Sequence, residues 1–315
     1  MAPPISIKDL PNLRGKVVIV TGGNTGIGYA TIQILARRGA KVYMAARNES
    51  RAKEAIHKMQ SDSEGLGEGS VEWLELDLSD PRSAARAAQM FLGKERRLDM
   101  LINNAAVSSG PFKLTSDGLL DIMVTNYLSH VVLINGLLPL LKQTAAEPNS
   151  DVRIIALTSA AHTMVNPETF ATKESLNRQY GDSMKGYLTT YGNTKLAIIL
   201  HIKALQKRLS AEGALITCVS VHPGAITTAG GQKFVRSLPL VGWGVAKVLM
   251  PMVFGSWEEG ALTVLYAAVA GPRDGLRGEY VTPKGIEAPS KEAMDERLSE
   301  EVYETTERVV RELGL

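Results

Sequence analysis

The chain has 315 residues, with 35 basic against 33 acidic side chains and a formal charge of +2. This near-balance excludes a global field that would recruit nucleic acid or an anionic membrane, and the length is enough for a large hydrophobic core. The one cysteine, Cys218, excludes an intrachain disulfide and, within the apolar run Leu215 to Val221, reads as a small core residue.

The opening segment, MAPPISIKDLPNLRGK, carries proline and charge where a secretory signal needs an apolar stretch, so a cytoplasmic address is expected. A strand over 16–21 then leads into Thr21-Gly22-Gly23-Asn24-Thr25-Gly26-Ile27-Gly28 and a helix over 26–38. A glycine-rich turn between strand and helix is a phosphate site in the making. Gly22 permits the tight turn, Gly26 lets backbone approach a pyrophosphate, and Gly28 lets helix lie on strand. The helix amino terminus adds N–H donors and a favourable dipole. Asn24, Thr25 and Ile27 belong to the same cofactor-facing turn, whose spacing is Gly-x3-Gly-x-Gly.

The second strand, 41–46, ends Ala45-Ala46-Arg47-Asn48. In dinucleotide folds an acid about 20 residues beyond the turn binds the ribose 2′-hydroxyl. No carboxylate stands there; Arg47 offers a planar cationic fork suited to a 2′-phosphate, which favours NADP(H). The alternative for Arg47 is a solvated strand end, and Arg51 either assists it or only covers the next helix.

A helix over 50–60, a glycine-rich surface loop over 63–70 that reads as mobile, a strand over 71–76 and a helix over 81–91 follow. The strand at 100–102 ends in Asn103-Asn104-Ala105-Ala106, and a long helical segment spans 118–141. A strand over 153–158 closes on Ser159, where a carboxyl-end hydroxyl can point into the crevice that open α/β sheets use for ligands. Tyr191-Gly192-Asn193-Thr194-Lys195 opens the helical stretch KLAIILHIKALQKRL. Residues four apart share a helix face, and an ammonium beside a phenol of ordinary pKa ~10 favours phenolate, so Lys195 is expected to lower Tyr191.

Strands at 215–221 and 278–281 and an amphipathic helix in 291–315, with Met294, Leu298, Val302, Val309 and Leu313 on one face, complete the pattern. Short apolar strands alternating with helices predict an α/β fold: one doubly wound parallel sheet with helices on both faces. No linker divides the chain, so 1–315 reads as a single domain, with a cofactor half at about 1–158 and a catalytic and substrate half at about 159–315. The apolar stretch 238–254 is interrupted by Pro239, Gly242, Gly244, Lys247 and Pro251. It falls short of the roughly 20 residues a spanning helix needs, so no transmembrane segment is expected, although contact with a lipid surface stays open.

These residues together resemble the short-chain dehydrogenase/reductase family over about 16–281. Thr21 to Gly28 is similar to its TGxxxGxG turn, and Asn103 to Ala106 to its NNAG, with Ala106 in place of glycine. The resemblance implies that Asp77 and Leu78 meet the adenine and that Asn104 and Ala105 belong to the cofactor site. It also implies that Pro223, Gly224, Ile226 and Thr228 hold the nicotinamide carboxamide. It makes Asn126, Ser159, Tyr191 and Lys195 the catalytic set, with Tyr191 and Lys195 also touching the cofactor. In the implied mechanism Ser159 bonds the substrate oxygen, Tyr191 moves its proton, Lys195 steadies phenolate and ribose, and Asn126 anchors a water chain.

Within the family, RIIALTSAAH, VTNYLSHVVL and YLTTYGNTKLAIIL are similar to a retinol-dehydrogenase-like and WW-domain-oxidoreductase-like branch, and to fungal reductases of specialised metabolism. Two features depart from the common pattern: the segment between Ser159 and Tyr191 is long, and Thr194 replaces the usual serine. The segment 230–256 is either an apolar substrate lid or a helix pair packed on the body, with Tyr187 and Met164 as further pocket candidates. His162 reads as a scaffold residue and His222 as ordering the turn at Pro223, and no histidine spacing suggests a metal site. The expected partner is a small carbonyl compound or alcohol, and a homo-oligomer is compatible with it. The alternative from a different class is a protein of this fold that binds NADPH as a sensor, scaffold, isomerase or cyclase.

Overall fold

The β-branched run Val17–Thr21 (β1) is buried along its whole length, as a strand covered on both faces must be. In the computed structural model, which describes residues 5–108, 111–224 and 256–315, it lies at the centre of one sheet. The other strands are β2 (Lys41–Ala46), β3 (Ser70–Glu75), β4 (Met100–Asn103), β5 (Val152–Leu157), β6 (Ile216–Val221), β7 (Tyr280–Thr282) and β8 (Gly285–Ile286). Their order is β3-β2-β1-β4-β5-β6-β7-β8, parallel throughout except for the antiparallel β7–β8 pair. The winding reverses between β1 and β4, and there the carboxyl ends of the strands open the ligand crevice typical of such sheets.

Alternate strand residues feed two separate apolar layers. Val17, Ile19, Leu101, Ile154 and Cys218 face a layer built from α3 (Pro81–Lys94), α4 (Asp121–Ala145), the short α5 (Lys173–Leu176), α6 (Met184–Ala211) and α8 (Glu296–Glu312). Val18, Val20, Met44, Ile155 and Val219 face the other, built from α1 (Gly26–Arg37), α2 (Glu49–Ser61) and α7 (Trp257–Leu265). The doubly wound architecture expected from the alternation of strands and helices is the one formed. Among the described residues α4 alone is long and apolar enough to cross a membrane, and 72% of its most apolar window is buried against the core.

Several boundaries differ from expectation for local reasons. Helix α4 begins at Asp121 and not at 118 because Thr115 to Leu120 closes a turn: Gly118 has φ 71°, Thr115 N donates to Leu119 O, and Leu114 bridges Leu120. Helix α6 begins well ahead of Tyr191, where the Ser183 hydroxyl caps Gly186 N, and the Thr189 and Thr190 hydroxyls bond back to Lys185 O and Gly186 O. Helix α7 adds to the expected elements, and Ser256 and Glu259 form a capping box ahead of its apolar residues. Met294, expected on the carboxy-terminal helix, lies in a separate 3-10 turn and is 49% exposed. The 63–70 loop, expected to be mobile, is pinned to the end of α1 by Arg37, which bonds Gly65 O and Asp62.

At the opposite end of the sheet from the crevice, Asp99 is fully buried and accepts hydrogen bonds from Arg97, Lys16 and Val17 N at 2.7, 3.0 and 2.9 Å. Burial pushes its carboxyl up, but the Arg97, Val17 and Lys16 donors outweigh that and hold it below the ordinary carboxylate value. Asp99→Ala is expected to lower unfolding free energy by about 2–3 kcal/mol at neutral pH, a discounted figure because the cations are partly solvated. The contribution is present above the ordinary carboxyl range and is lost as pH falls through the depressed folded value, so the gap should close in acid. Urea denaturation of both proteins at several pH values measures this.

Candidate active site

The glycine turn after β1 is shaped by backbone requirements that only glycine meets. Gly22 has φ 67°, and a Cβ there would stand 2.9 Å from Ala105 Cβ; one on Gly28 would stand 2.6 Å from Gly22 O and from Asn104 Nδ2. Gly26 has φ 62° and open space where its Cβ would project, so backbone is what it presents to the crevice. Helix α1 starts there without a side-chain cap from Thr25, leaving its first N–H groups directed outward. Ile27 is buried under the turn, while Asn24 is half-buried and Thr25 exposed. A Cβ on Gly23 would meet Ile32 Cδ1 at 2.2 Å, the end of a side chain that can turn aside.

Asn104 and Ala105 face this turn from the end of β4 and lock it. The Thr21 hydroxyl accepts Asn104 N and Ala105 N at 2.9 and 3.0 Å, and Asn104 Nδ2 donates to Thr21 O at 2.8 Å. Asp77 and Leu78 follow β3 on the far side of the β1–β2 end. Asp77 accepts Ser79 N and the Ser79 hydroxyl, and Leu78 O accepts the Ser129 hydroxyl. Arg47 projects from the end of β2 with its side chain 73% exposed and its guanidinium 3.9 Å from Asp77.

Ser159, Tyr191 and Lys195 come together on the other flank of the crevice. Ser159 lies two residues beyond β5 and caps the 3-10 turn Ala160–Met164, which packs on α6. Gly192 makes that approach possible, since a Cβ there would lie 2.3 Å from Ala161 O. The contact sets the Ser159 hydroxyl beside the Tyr191 phenol. Lys195 lies one turn further along α6, its Nζ 5.5 Å from the Tyr191 ring centre and donating to Leu157 O at 2.8 Å.

The expected lowering of Tyr191 by Lys195 is not what this arrangement produces. Burial pushes the phenol up to about 12, with only the Ser159 hydrogen bond pulling it back. The same burial brings Lys195 down to about 7. Sharing a helix face places the two groups together, but Lys195 is buried and Tyr191 half-buried, and desolvation favours the neutral form of each.

Asn126 sits in a π-turn, Val124–Leu128, within α4. Its amide is committed to protein partners: Nδ2 donates to Val107 O at 2.9 Å and to Thr194 Oγ1 at 3.1 Å, and Oδ1 accepts Val107 N at 2.8 Å. Thr194, the residue in place of the usual serine, passes the link on to Tyr191 O at 2.8 Å. Asn126 thereby joins the segment after Asn104 to the helix carrying Tyr191.

Pro223 and Gly224 follow β6 at the same end of the sheet, and His222 N extends the pairing to Val281 O. Ile226, Thr228 and nearly all of the 230–256 lid lie outside the described residues. Tyr187 stands one turn before Tyr191 with its ring edge-on to Phe112 at 5.7 Å, and Met164 is 42% exposed at the end of the 3-10 turn. The long segment between Ser159 and Tyr191 is anchored away from the crevice, where Glu301 of α8 accepts Thr169 Oγ1 and Phe170 N, both at 2.7 Å.

Residues 16–171 match the family model for short chain dehydrogenase. A short-chain dehydrogenase/reductase of Armillaria gallica is 39% identical over 311 residues, spanning 96% of this chain and 95% of that one. Among solved structures, an uncharacterised protein of Mycobacterium paratuberculosis aligns over 98% of this chain and 97% of its own, at 28% identity and TM-score 0.73. The Pseudomonas aeruginosa RhlG/NADP complex aligns over 86% and 95%, at 25% identity and TM-score 0.63. Similarity along nearly the whole chain, joined to this sheet order, places the protein in the short-chain dehydrogenase/reductase family of oxidoreductases.

Proposed function

We propose that the protein is an NADP(H)-dependent reductase or dehydrogenase acting on a ketone, an aldehyde or a secondary alcohol of a fairly large apolar molecule. The observation that carries this reading is the group of half-buried Ser159 and Tyr191 with buried Lys195 beyond the carboxyl end of β5, facing the glycine turn across the crevice. The turn fits a dinucleotide: Gly26 offers bare backbone beside an α1 amino terminus without a side-chain cap. Gly22 to Gly28, with Asn24, Thr25 and Ile27, would hold the pyrophosphate, and Asp77 and Leu78 the adenine. Asn104 and Ala105 would wall the site, while Tyr191 and Lys195 would meet the nicotinamide ribose. Pro223 and Gly224, with Ile226 and Thr228, would hold the carboxamide.

When bound, nicotinamide supplies or accepts the hydride. The Ser159 hydroxyl orients and polarises the substrate oxygen. Tyr191, protonated across neutral pH because burial pushes it up, gives its phenolic proton to that oxygen during reduction and recovers it during oxidation. Lys195 lies beneath the phenol, where a cation stabilises the phenolate left behind. Asn126 holds Val107 and Thr194 in register around this group. Phe112, Tyr187 and Met164 support an apolar substrate. A cytosolic setting goes with this reading, and microscopy of the tagged chain checks it.

The preference for NADP(H) rests on Arg47. Its pairing with Asp77 is solvent-screened and weak, so the guanidinium is available to a 2′-phosphate. Arg47→Ala is expected to reduce the NADPH-over-NADH ratio of kcat/KM by about ten- to a hundredfold, from the usual strength of a charged hydrogen bond. An unchanged ratio refutes the assignment. The broader test follows nicotinamide absorbance with NADPH over a panel of ketones and aldehydes, and with NADP+ over secondary alcohols. Tight NADPH binding with no turnover anywhere in the panel would favour the non-redox alternative.

A further inference from the structure

Two histidines that take no part in the proposed chemistry lie directly behind it. His130 is buried on α4, one turn after Asn126; its Nδ1 is 3.1 Å from Asn126 O and its Nε2 3.0 Å from Thr21 Oγ1. His162 is buried in the turn after Ser159, with Nδ1 2.7 Å from Ser159 O and Nε2 3.1 Å from Ser290 N.

The partners determine the proton positions on both rings. A carbonyl oxygen only accepts, so each Nδ1 carries a hydrogen; a backbone N–H only donates, so His162 Nε2 is bare. The Thr21 hydroxyl already accepts two backbone N–H groups, from Asn104 and Ala105, which occupies its lone pairs. Its own hydrogen therefore points to His130 Nε2, which is bare as well. Burial agrees with neutral rings, bringing His130 down to about 4 and holding His162 below its ordinary value.

We infer that His130 and His162 are positioning residues: each, as the neutral Nδ1–H tautomer, clamps the backbone carbonyl of one member of the reactive set and ties it to a distant part of the fold. His130 joins Asn126 to the glycine turn through Thr21, and His162 joins Ser159 to the carboxy-terminal segment through Ser290. The inference rests on the reading of Asn126 and Ser159 given above. A rigid ring with a donor and an acceptor on different edges suits this task, because it bonds two separated backbone segments without a flexible stem.

The two clamps differ in what they reach, so their effects should separate. His162→Phe removes the hold on Ser159 and should lower kcat about tenfold to a hundredfold, the loss that small misplacements of reacting groups cause, with NADPH dissociation constants unchanged. His162→Asn keeps a side-chain N–H near the Nδ1 position and should recover part of that kcat. His130→Phe should lower kcat and also weaken NADPH binding, because Thr21 anchors the turn. Long-range nitrogen–proton NMR of the histidine-labelled full chain reads the tautomers directly and needs no variant to fold. Nδ1–H at both rings is the expected result; Nε2–H at either overturns the inference, as does wild-type kcat in both phenylalanine variants. Failure of the functional reading looks different, since an active Tyr191→Phe would refute that reading without altering either tautomer.

Discussion

Tyr191→Phe is expected to lower kcat by about 10²–10⁴-fold, the range over which a positioned acid or base contributes, while NADPH affinity stays within a few-fold of wild type. The substitution removes one oxygen and leaves the ring, which packs against the main apolar layer beside α6. The phenol's polar side-chain neighbour is the Ser159 hydroxyl, so folding should change little. What disappears is the phenolic hydroxyl that would deliver a proton as hydride arrives. Because burial pushes the phenol up to about 12, it is protonated over the whole neutral range, and wild-type reduction should vary little with pH between about 6 and 9 on account of Tyr191. Steady-state kinetics in the reductive direction and nucleotide titration of both proteins measure these effects. A phenylalanine variant with more than about a tenth of wild-type kcat would lie outside the range for loss of a general acid and remove Tyr191 from the chemistry.

Much of the fold was legible because its physical demands are local. A strand covered on both faces must be apolar along its length, and VVIVT or the run ending at Val221 satisfies that without reference to anything distant. Gly22 and Gly26 were readable for the same reason, since both have positive φ. The spacing of Tyr191 and Lys195 correctly placed them on one helix face, yet it carried no information on solvent, and solvent decides their protonation. Gly192 and His130 carry no local signal, because their importance depends on Ala161 O and on Thr21, which only the folded chain brings to them. Asn126 lies on the helix expected over 118–141, but its commitment to Val107 and Thr194 could not be read from its own segment. Helix α7 is a different matter: its capping box, Ser256 with Glu259, stands plainly in the sequence at the end of the 230–256 segment.

Lys195→Met should abolish turnover and at the same time make the nucleotide-free protein more stable at neutral pH. The side chain is 2% exposed, and Leu157 O is the partner its ammonium bonds directly. Burial accordingly brings it down to about 7, against roughly 10.4 for an unfolded lysine. Below pH 7 both states carry the proton and the full cost of the buried charge weighs on the folded state. Between about 7 and 10.4 the unfolded state binds more protons, so stability rises with pH across that window, and beyond it the rise ends. Methionine fills most of the same volume without charge, at the loss of one hydrogen bond to Leu157 O. The net gain near pH 7 should be on the order of 2 kcal/mol, and the alkaline rise should flatten. Chemical denaturation at pH 7 and pH 9.5 without nucleotide tests both. A destabilised variant would show that the ammonium supports the fold. A stabilised but inactive one would show that this site keeps a cation where folding alone would not.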